Sequence, residues 1–276
     1  MIALVKRGLL YVFMAALGIV FLTPMLWLAS TSLKEQGQVF AYPPVFVPDP
    51  VRFANYLDAF ARAPLFVWLT NTITITVFAL IGTLLTCSLV AYGFARLRFP
   101  GRNVLFVLLL STMMLPDVVT LVPQFVLFKS LGWVDTFLPL IVPSFLGGGA
   151  FNIFLVRQFY LTIPRDFDEA ARLDGASNWR IWWHIILPLS RPVLIAVGIF
   201  SFVFHWNDFL APLIYLQSEG NKTLALGLRA FISPTDASWN ISMAASMFLV
   251  IPVLLVFFVA QRSFIRGVVM TGIQGR

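Results

Sequence analysis

The sequence predicts an all-α membrane protein with six transmembrane helices. Of its 276 residues, 59% are hydrophobic and only 11% are charged, whereas about a quarter of the residues in a soluble domain carry charge. The apolar residues fall into six segments, each close to the roughly 20 residues that a helix needs to cross a bilayer. Most of this chain is therefore expected to lie in lipid.

The six predicted spans differ in the residues that interrupt them. They cover residues 9–30, 70–95, 104–128, 137–156, 192–215 and 241–260. The first follows Lys6 and Arg7. It is longer than the apolar core of a signal peptide, roughly 7–15 residues, so we expect it to be retained. Proline interrupts the third span, and Gly147, Gly148 and Gly149 interrupt the fourth.

The basic residues divide unevenly between the two sides of these spans. Of the 19 lysines and arginines, 13 fall on the side that carries both termini and residues 157–191, and the other 6 fall on the opposite side. Because lysine and arginine accumulate in cytoplasmic loops, both termini are predicted to be cytoplasmic. The net charge of +7 then reflects loops that face anionic membrane lipid, and it does not indicate a nucleic-acid partner.

The chain lacks the sequence patterns of a metal or catalytic site. Its single cysteine, Cys87, lies in an apolar segment, so an intrachain disulfide is excluded. His184 and His205 are too far apart in sequence to suggest a local metal site. Neither H-E-x-x-H nor G-x-S-x-G occurs. We therefore expect no enzymatic activity, no metal and no cofactor in this chain.

Residues 157–191, between the fourth and fifth spans, are unusually polar for this chain. Asp166 and Glu169 have the spacing of a capping box and predict a helix start. The helical period places four residues on one face: Phe167, Ala170, Ala171 and Asp174. Gly175 is expected to end this helix and Ser177 to cap a second one. Three indoles are then expected at the membrane interface: Trp179, Trp182 and Trp183.

A surface helix that merely connects two spans would share some of these features. The complete pattern is more specific, and its residues are Glu169, Ala170, Ala171, Gly175, Ile185, Leu187 and Pro188. This pattern resembles the signature loop by which the permeases of ABC importers bind their ATPase. The resemblance assigns ATPase docking to Glu169, Ala170, Ala171, Arg172, Asp174 and Gly175.

The resemblance covers about 200 residues, and further motifs place it in the carbohydrate branch of the family. These motifs are residues 91–96 (AYGFAR), 98–101 (RFPG), Pro123-Gln124, Gly132 with Asp135-Thr136, and Trp206-Asn207-Asp208. The chain resembles the smaller permease subunit of maltose-type importers, which implies a type I ABC importer permease fold. We expect a first helix and outer loop in residues 1–68, a permease core in 69–264 that includes the coupling loop 157–191, and a cytoplasmic tail in 265–276.

The resemblance also implies a multi-subunit machine in the bacterial plasma (inner) membrane. A second, homologous permease subunit would complete the pathway, and two ATPase subunits would bind ATP and Mg. An extracytoplasmic solute-binding protein would deliver a sugar or oligosaccharide. A homodimer of this chain is the alternative, since two copies also supply two docking loops.

Four polar or aromatic residues in the predicted spans are candidates for the translocation pathway: Asp117, Trp206, Asn207 and Asp208. A carboxylate is costly at membrane depth unless it faces water, a partner or a substrate. The competing interpretation, which we favour for Asp117 and Asp208, is structural: they cap broken helices or pair between subunits. Asn71, at the head of the second span, is interpreted as a helix cap.

Two other transport hypotheses remain open at this point. An ion-coupled secondary transporter normally has an internal repeat and a relay of charges within its spans, and neither is evident here. A permease for a glycerol-phosphate-type polyol is the closer alternative, because such permeases are very similar to those for sugars.

Overall fold

A computed structural model describes residues 2–231 and 238–272, with side chains for residues 6–116, 118–231 and 238–261. Every regular element in these ranges is helical. The α-helices are α1 (Ile2–Ser32), α2 (Gln36–Val39), α3 (Ala54–Arg62), α4 (Leu65–Arg96), α5 (Arg102–Ser111), α6 (Asp117–Ser130), α7 (Leu138–Ile141), α8 (Ala150–Thr162), α9 (Asp166–Leu173), α10 (Asn178–Ile181), α11 (Leu187–Leu189), α12 (Arg191–Trp206), α13 (Leu210–Tyr215), α14 (Leu224–Gly227) and α15 (Trp239–Gly272). A π-helix, Trp182–Ile186, joins α10 to α11.

The helices supply between four and six candidate membrane crossings. Four stretches are long and apolar enough to span a bilayer: Lys6–Ser32, Leu65–Arg96, Leu138–Thr162 and Trp239–Gln261. Two bent pairs pass the same test: Arg102–Met114 with Val118–Ser130, at 102°, and Asn178–Leu189 with Arg191–Trp206, at 78°. Counting each bent pair as one span gives six among the described residues.

The predicted fifth span, residues 192–215, is not one continuous helix. The 16-residue α12 ends at Trp206, and α13 begins at Leu210. A helix of this length rises about 24 Å, which is less than the roughly 30 Å hydrocarbon core of a bilayer. The break is stabilised locally, because the Asn207 amide donates to the Val203 carbonyl and Asp208 accepts from the Ala211 N–H.

The chain divides into two compact units. The first comprises Met1–Phe66 and Gly227–Ile251. Within it, the buried Asn55 amide donates to the carbonyls of Ser32 and Lys34, at 2.9 and 2.8 Å, and Asn240 donates to the Asn55 side-chain oxygen at 3.0 Å. These bonds fix the end of α1 to α3 and to the start of α15. The outer loop predicted within residues 1–68 thus contains the helices α2 and α3.

The second unit comprises Val67–Leu226 and Pro252–Arg276. Its main apolar core is built from α4, α8 and α12, and residues of the 157–191 segment belong to the same core: Ala171, Ile181, Trp182 and Ile186. The polar segment is therefore packed into its unit and is not a free surface loop.

Gly148 lets the fourth span approach α4 closely. Its φ is +69°, and a Cβ at this position would lie 2.7 Å from the backbone oxygen of Thr83. Only glycine tolerates both this backbone conformation and this contact. The predicted glycine interruption of the fourth span is thus a packing point between two helices.

Candidate functional site

The helix α9 begins with three acidic residues: Asp166, Asp168 and Glu169. Negative charge in the first turn of a helix is favourable because the helix dipole is positive there. The predicted capping box of Asp166 with Glu169 is wrong, since the residue before the helix is Arg165 and it makes no side-chain cap hydrogen bond. Glu169 is exposed.

The two sides of α9 differ in exposure. Asp168 and Ala171 are buried, whereas Glu169 and Ala170 are exposed and Leu173 is 90% exposed. Of the four residues predicted to share one face, Phe167, Ala170 and Asp174 are exposed, whereas Ala171 packs inward.

A buried ion pair holds α9 against the end of the second span. The Arg96 guanidinium lies 3.3 Å from the Asp168 carboxylate, with side-chain exposures of 2% and 6%. Arg96 also donates to the Ile163 carbonyl at 2.8 Å. This pair was not identified from the sequence. The only hint was a second carboxylate directly before Glu169.

Gly175 ends α9 as predicted. Its φ is +79°. The Gly175 N–H donates to the Arg172 carbonyl at 3.0 Å, and the Ala176 N–H donates to the Ala171 carbonyl at 2.9 Å. These two bonds form a Schellman motif, which satisfies the last carbonyls of the helix.

The second half of the segment begins at Ser177, whose hydroxyl accepts from the Arg180 N–H at 3.4 Å, as predicted. The chain then passes into the π-helix, a form often found at functional sites. The prediction that all three indoles lie at the membrane interface is wrong for Trp182. Trp182 is 2% exposed, whereas Trp179 and Trp183 are 59% and 46% exposed.

Trp182 is buried because it joins a polar network inside the core. Its Nε1 donates to the Ser88 hydroxyl at 3.1 Å, and that hydroxyl lies 2.7 Å from the Tyr160 hydroxyl. The network links the π-helix to α4 and α8. At the 78° bend before α12, the Ser190 hydroxyl donates to the carbonyls of Ile186 and Leu187. The segment is therefore connected to α4 and α8 by buried hydrogen bonds as well as by apolar packing.

The candidate pathway residues lie at the end of α12. Trp206 is buried and stacks on Phe202 with ring centroids 5.3 Å apart. Asn207 is exposed and bonded to its own helix, and the Asp208 carboxylate accepts from the Ala211 N–H at 3.2 Å. The Asp208 contact is that of a helix cap. The side chain of Asp117 lies outside the described residues, and lining of a pathway by these residues stays a prediction.

Asn71 has a different role from the predicted helix cap. The helix α4 begins six positions earlier, at Leu65, and the Asn71 amide donates to the carbonyls of Gly220 and Lys222 at 2.7 and 3.0 Å. The sequence pattern placed the start of this span too late, because residues 65–69 are as apolar as the span itself.

Asp135, which the sequence places in one of the family motifs, organises the loop after α13. Its carboxylate accepts from the backbone N–H groups of Gln217 and Ser218, both at 2.9 Å, and from the Ser218 hydroxyl. These hydrogen bonds stabilise the ionised form and hold the pKa of Asp135 well below its usual value. Its φ of +62° is uncommon for a residue other than glycine.

Residues 85–270 match the family described as "Binding-protein-dependent transport system inner membrane component". The chain belongs to this family. The match covers the 157–191 segment with its buried anchors and most of the spans. The permease assignment predicted from the sequence is confirmed, as is a multi-pass protein of the inner membrane. The family is one of transport components and not of enzymes.

Characterised relatives span nearly the whole chain. The arabinooligosaccharide transport permease AraQ of Bacillus subtilis is 33% identical, covering 98% of this chain and 97% of its own length. The diacetylchitobiose uptake permease NgcG of Streptomyces coelicolor is 34% identical over 88% of this chain and 81% of its own. The sn-glycerol-3-phosphate permease UgpE of Yersinia enterocolitica is 32% identical, covering 93% and 94%. The resemblance to carbohydrate ABC importer permeases is thus confirmed.

Solved structures agree with the predicted fold. A bacterial ABC transporter that imports the acidic polysaccharide alginate superimposes with a TM-score of 0.83 at 25% identity, covering 94% of this chain and 96% of that one. An alginate transporter in complex with a periplasmic protein bound to an alginate pentasaccharide gives a TM-score of 0.67 at 17% identity, with the same coverage. The chain has the type I importer permease fold.

Proposed function

We propose that this permease is one of two membrane subunits of an ATP-driven oligosaccharide importer, and that the exposed face of α9 binds an ATPase subunit. The observation that carries the docking role is the contrast within α9. Asp168 and Ala171 fix the helix to the core, while Glu169, Ala170 and the 90% exposed Leu173 face outward. A rigidly held helix with an unfilled small-residue surface fits a cleft in a partner.

The proposed assembly contains a second, homologous permease chain, two ATPases that bind ATP and Mg, and an extracytoplasmic solute-binding protein. The 157–191 segment and both termini face the cytoplasm, because 13 of the 19 basic residues lie on that side. A homodimer of this chain remains the alternative to two different permeases. Mass measurement of the intact complex distinguishes them by the presence or absence of another membrane subunit.

Transport is coupled to ATP through the anchors of the segment. When the ATPases close on ATP, a docked α9 moves with them. The Arg96–Asp168 pair passes this movement to α4, and the Trp182–Ser88–Tyr160 network passes it to α4 and α8. Because these contacts are buried, the segment and the spans are expected to move as a unit and to open the pathway alternately to the two sides.

The substrate class follows from the relatives, two of which are named for oligosaccharides. A glycerol phosphate is the second candidate, supported by the 32% identity with UgpE. Calorimetry of the solute-binding protein expressed with this permease separates the two, since a neutral oligosaccharide and a phosphorylated polyol would not both bind.

The docking role is tested with Glu169→Lys. Charge reversal on the exposed face should leave membrane insertion intact, abolish uptake and weaken retention of the ATPase during purification. Glu35→Lys is the matched control. Glu35 is also exposed, but in the predicted topology it follows the first span and lies on the outer side of the membrane, away from the ATPase. Normal uptake by the Glu169→Lys variant would contradict the proposal.

A further inference from the structure

Three membrane spans end around one cleft of about 570 Å³. The span Leu65–Arg96 ends two positions before the lining residue Arg98, and the span that begins at Arg102 starts within the lining. The span Leu138–Thr162 ends three positions before a third lining residue, Arg165. The cleft therefore lies at the level where the chain leaves the bilayer, beside the lipid headgroups.

The lining of this cleft is positively charged. It contains the guanidinium groups of Arg98, Arg102 and Arg165, together with the ring of Phe99, and no carboxylate. A neighbouring cleft of about 510 Å³ shares Arg98 and Arg165 and is also lined by Arg96, Arg172, Asp168 and Glu169. Its two carboxylates offset part of the charge of its arginines, whereas the first cleft has no carboxylate, so the first is the better anion site.

The arginines of the first cleft are not engaged by acidic partners. Arg102 donates to the Leu97 carbonyl at 3.2 Å, and among the described side chains Arg98 and Arg165 lie within ion-pair distance of no carboxylate. Arg96 differs in this respect, because its charge is compensated by Asp168. Two free guanidinium groups and a third nearby thus face a space that no acidic residue of its lining fills.

We propose that this cleft binds the phosphate group of an anionic phospholipid. Guanidinium groups bind phosphate oxygens through paired, charge-assisted hydrogen bonds. Basic pockets between spans at the cytoplasmic surface suit anionic headgroups, which are abundant there. The volume is ample for a glycerophosphate headgroup. A soluble phosphate compound would offer the same chemistry, but the position at three span ends favours a ligand with acyl chains.

Binding at this place would bear on the docking segment, since Arg165 directly precedes α9. The lipid would fix the start of that helix to the membrane surface from one side, while the Arg96–Asp168 pair fixes it to the core from the other. The lipid site goes beyond the docking proposal and does not depend on it.

The test uses the full chain purified in neutral detergent and fluorescent phosphatidylglycerol as the probe, with phosphatidylcholine as the zwitterionic comparison. The Arg98→Gln/Arg165→Gln variant should bind phosphatidylglycerol about 25-fold more weakly, from roughly fivefold for each guanidinium near an anionic surface. Arg180→Gln/Arg191→Gln, an equal loss of two charges at exposed positions outside the cleft, should bind as the unmodified chain does. The Arg98→Lys/Arg165→Lys variant keeps the charge, and its affinity for phosphatidylglycerol should lie between those of the unmodified chain and the double glutamine variant.

Several outcomes would overturn the lipid site. One is equal binding of phosphatidylglycerol by the chain and the double glutamine variant, and another is no preference over phosphatidylcholine. Displacement of the lipid by millimolar inorganic phosphate, with the same dependence on Arg98 and Arg165, would assign the cleft to a soluble anion. If the double variant instead lost its ATPase while retaining lipid, the cleft would be a protein contact.

Discussion

The indole Nε1 of Trp182 donates a hydrogen bond of 3.1 Å to the hydroxyl of Ser88, although the two residues are 94 positions apart in the chain. Both are buried, and the same hydroxyl lies 2.7 Å from that of Tyr160. The bond joins the second half of the docking segment to the interior of α4. It offers a direct way to separate ATPase binding from the transmission of movement.

Trp182→Phe keeps an aromatic ring but removes the N–H donor to Ser88. We expect the ATPase to be retained, while the amount of substrate imported for each ATP hydrolysed falls roughly 2–10-fold, the range of one net hydrogen bond. Trp183→Phe is the control, because Trp183 is 46% exposed and should leave the ratio unchanged. Equal ratios for the two variants in reconstituted vesicles would exclude the transmitting role of this bond.

Asp168→Asn should destabilise the docking segment strongly, since it leaves the Arg96 guanidinium buried and without its counter-charge. Removing one partner of a buried pair costs about 3–5 kcal/mol. The double variant Arg96→Met/Asp168→Asn should recover part of that loss, and the exposed Asp166→Asn should have little effect. Thermal unfolding of the purified complex measures all three. A single variant as stable as the parent would show that the pair contributes nothing.

Gly175→Ala tests the Schellman turn. Nothing lies within 4 Å of a Cβ at this position, so the expected cost, about 1–2 kcal/mol, comes from the left-handed backbone alone. Gly93→Ala is a matched control, because Gly93 lies within α4 and also has open space around it. That variant should be neutral or slightly more stable. Equal unfolding temperatures for the two would argue against strain at Gly175.

The sequence predicted the turn better than the packing around it. Gly175 and Ser177 were placed correctly because a left-handed stop and a hydroxyl cap depend only on neighbouring residues. The inward packing of Ala171 and Asp168 was not predicted, because in an 8-residue helix acidic and small residues occur on both sides. Which alanine packs inward is decided by Arg96, whose pairing with Asp168 is a long-range contact that no local period encodes.

The membrane spans show the same contrast between features that were predicted from the sequence and features that were not. The number of spans could be predicted because apolar length is a property of the sequence itself. The break after Trp206 was missed because residues 192–215 are apolar almost throughout. The side-chain bonds of Asn207 and Asp208 to their own backbone interrupt the helix there without lowering the average hydropathy much.

The predicted orientation can be tested with single cysteines in a Cys87→Ser background. Leu173→Cys and Tyr42→Cys are suitable positions, since their side chains are 90% and 96% exposed. An impermeant thiol reagent should label Tyr42→Cys in intact cells that lack the ATPase, and Leu173→Cys only after permeabilisation. Labelling of Leu173→Cys from outside would reverse the assignment of sides.

We expect the stability of the loop after α13, which Asp135 holds by hydrogen bonds, to be sensitive to acid. The pKa of Asp135 is lowered in the folded protein by hydrogen bonds from Ser218 and Gln217, so its contribution to stability is fully present above the unfolded value of about 3.9. That contribution is lost as the pH falls from there toward the folded pKa. Asp135→Asn should lower the Tm by roughly 2–4 °C at pH 7, and the difference from the parent should shrink below about pH 4. A difference that does not change with pH would exclude this cause.

The exposure of the first span determines how freely its sequence can change. Between residues 6 and 30 no side chain is buried within the chain, although this span is strongly apolar. Its composition is therefore constrained by contact with lipid and with neighbouring subunits, and not by close packing against other residues of this chain. Exchanges among leucine, isoleucine, valine and phenylalanine should be tolerated there in combination. The same exchanges around Ala91, Val156 or Val197 should not. Divergence among related chains is thus expected to concentrate in the helix that is most exposed.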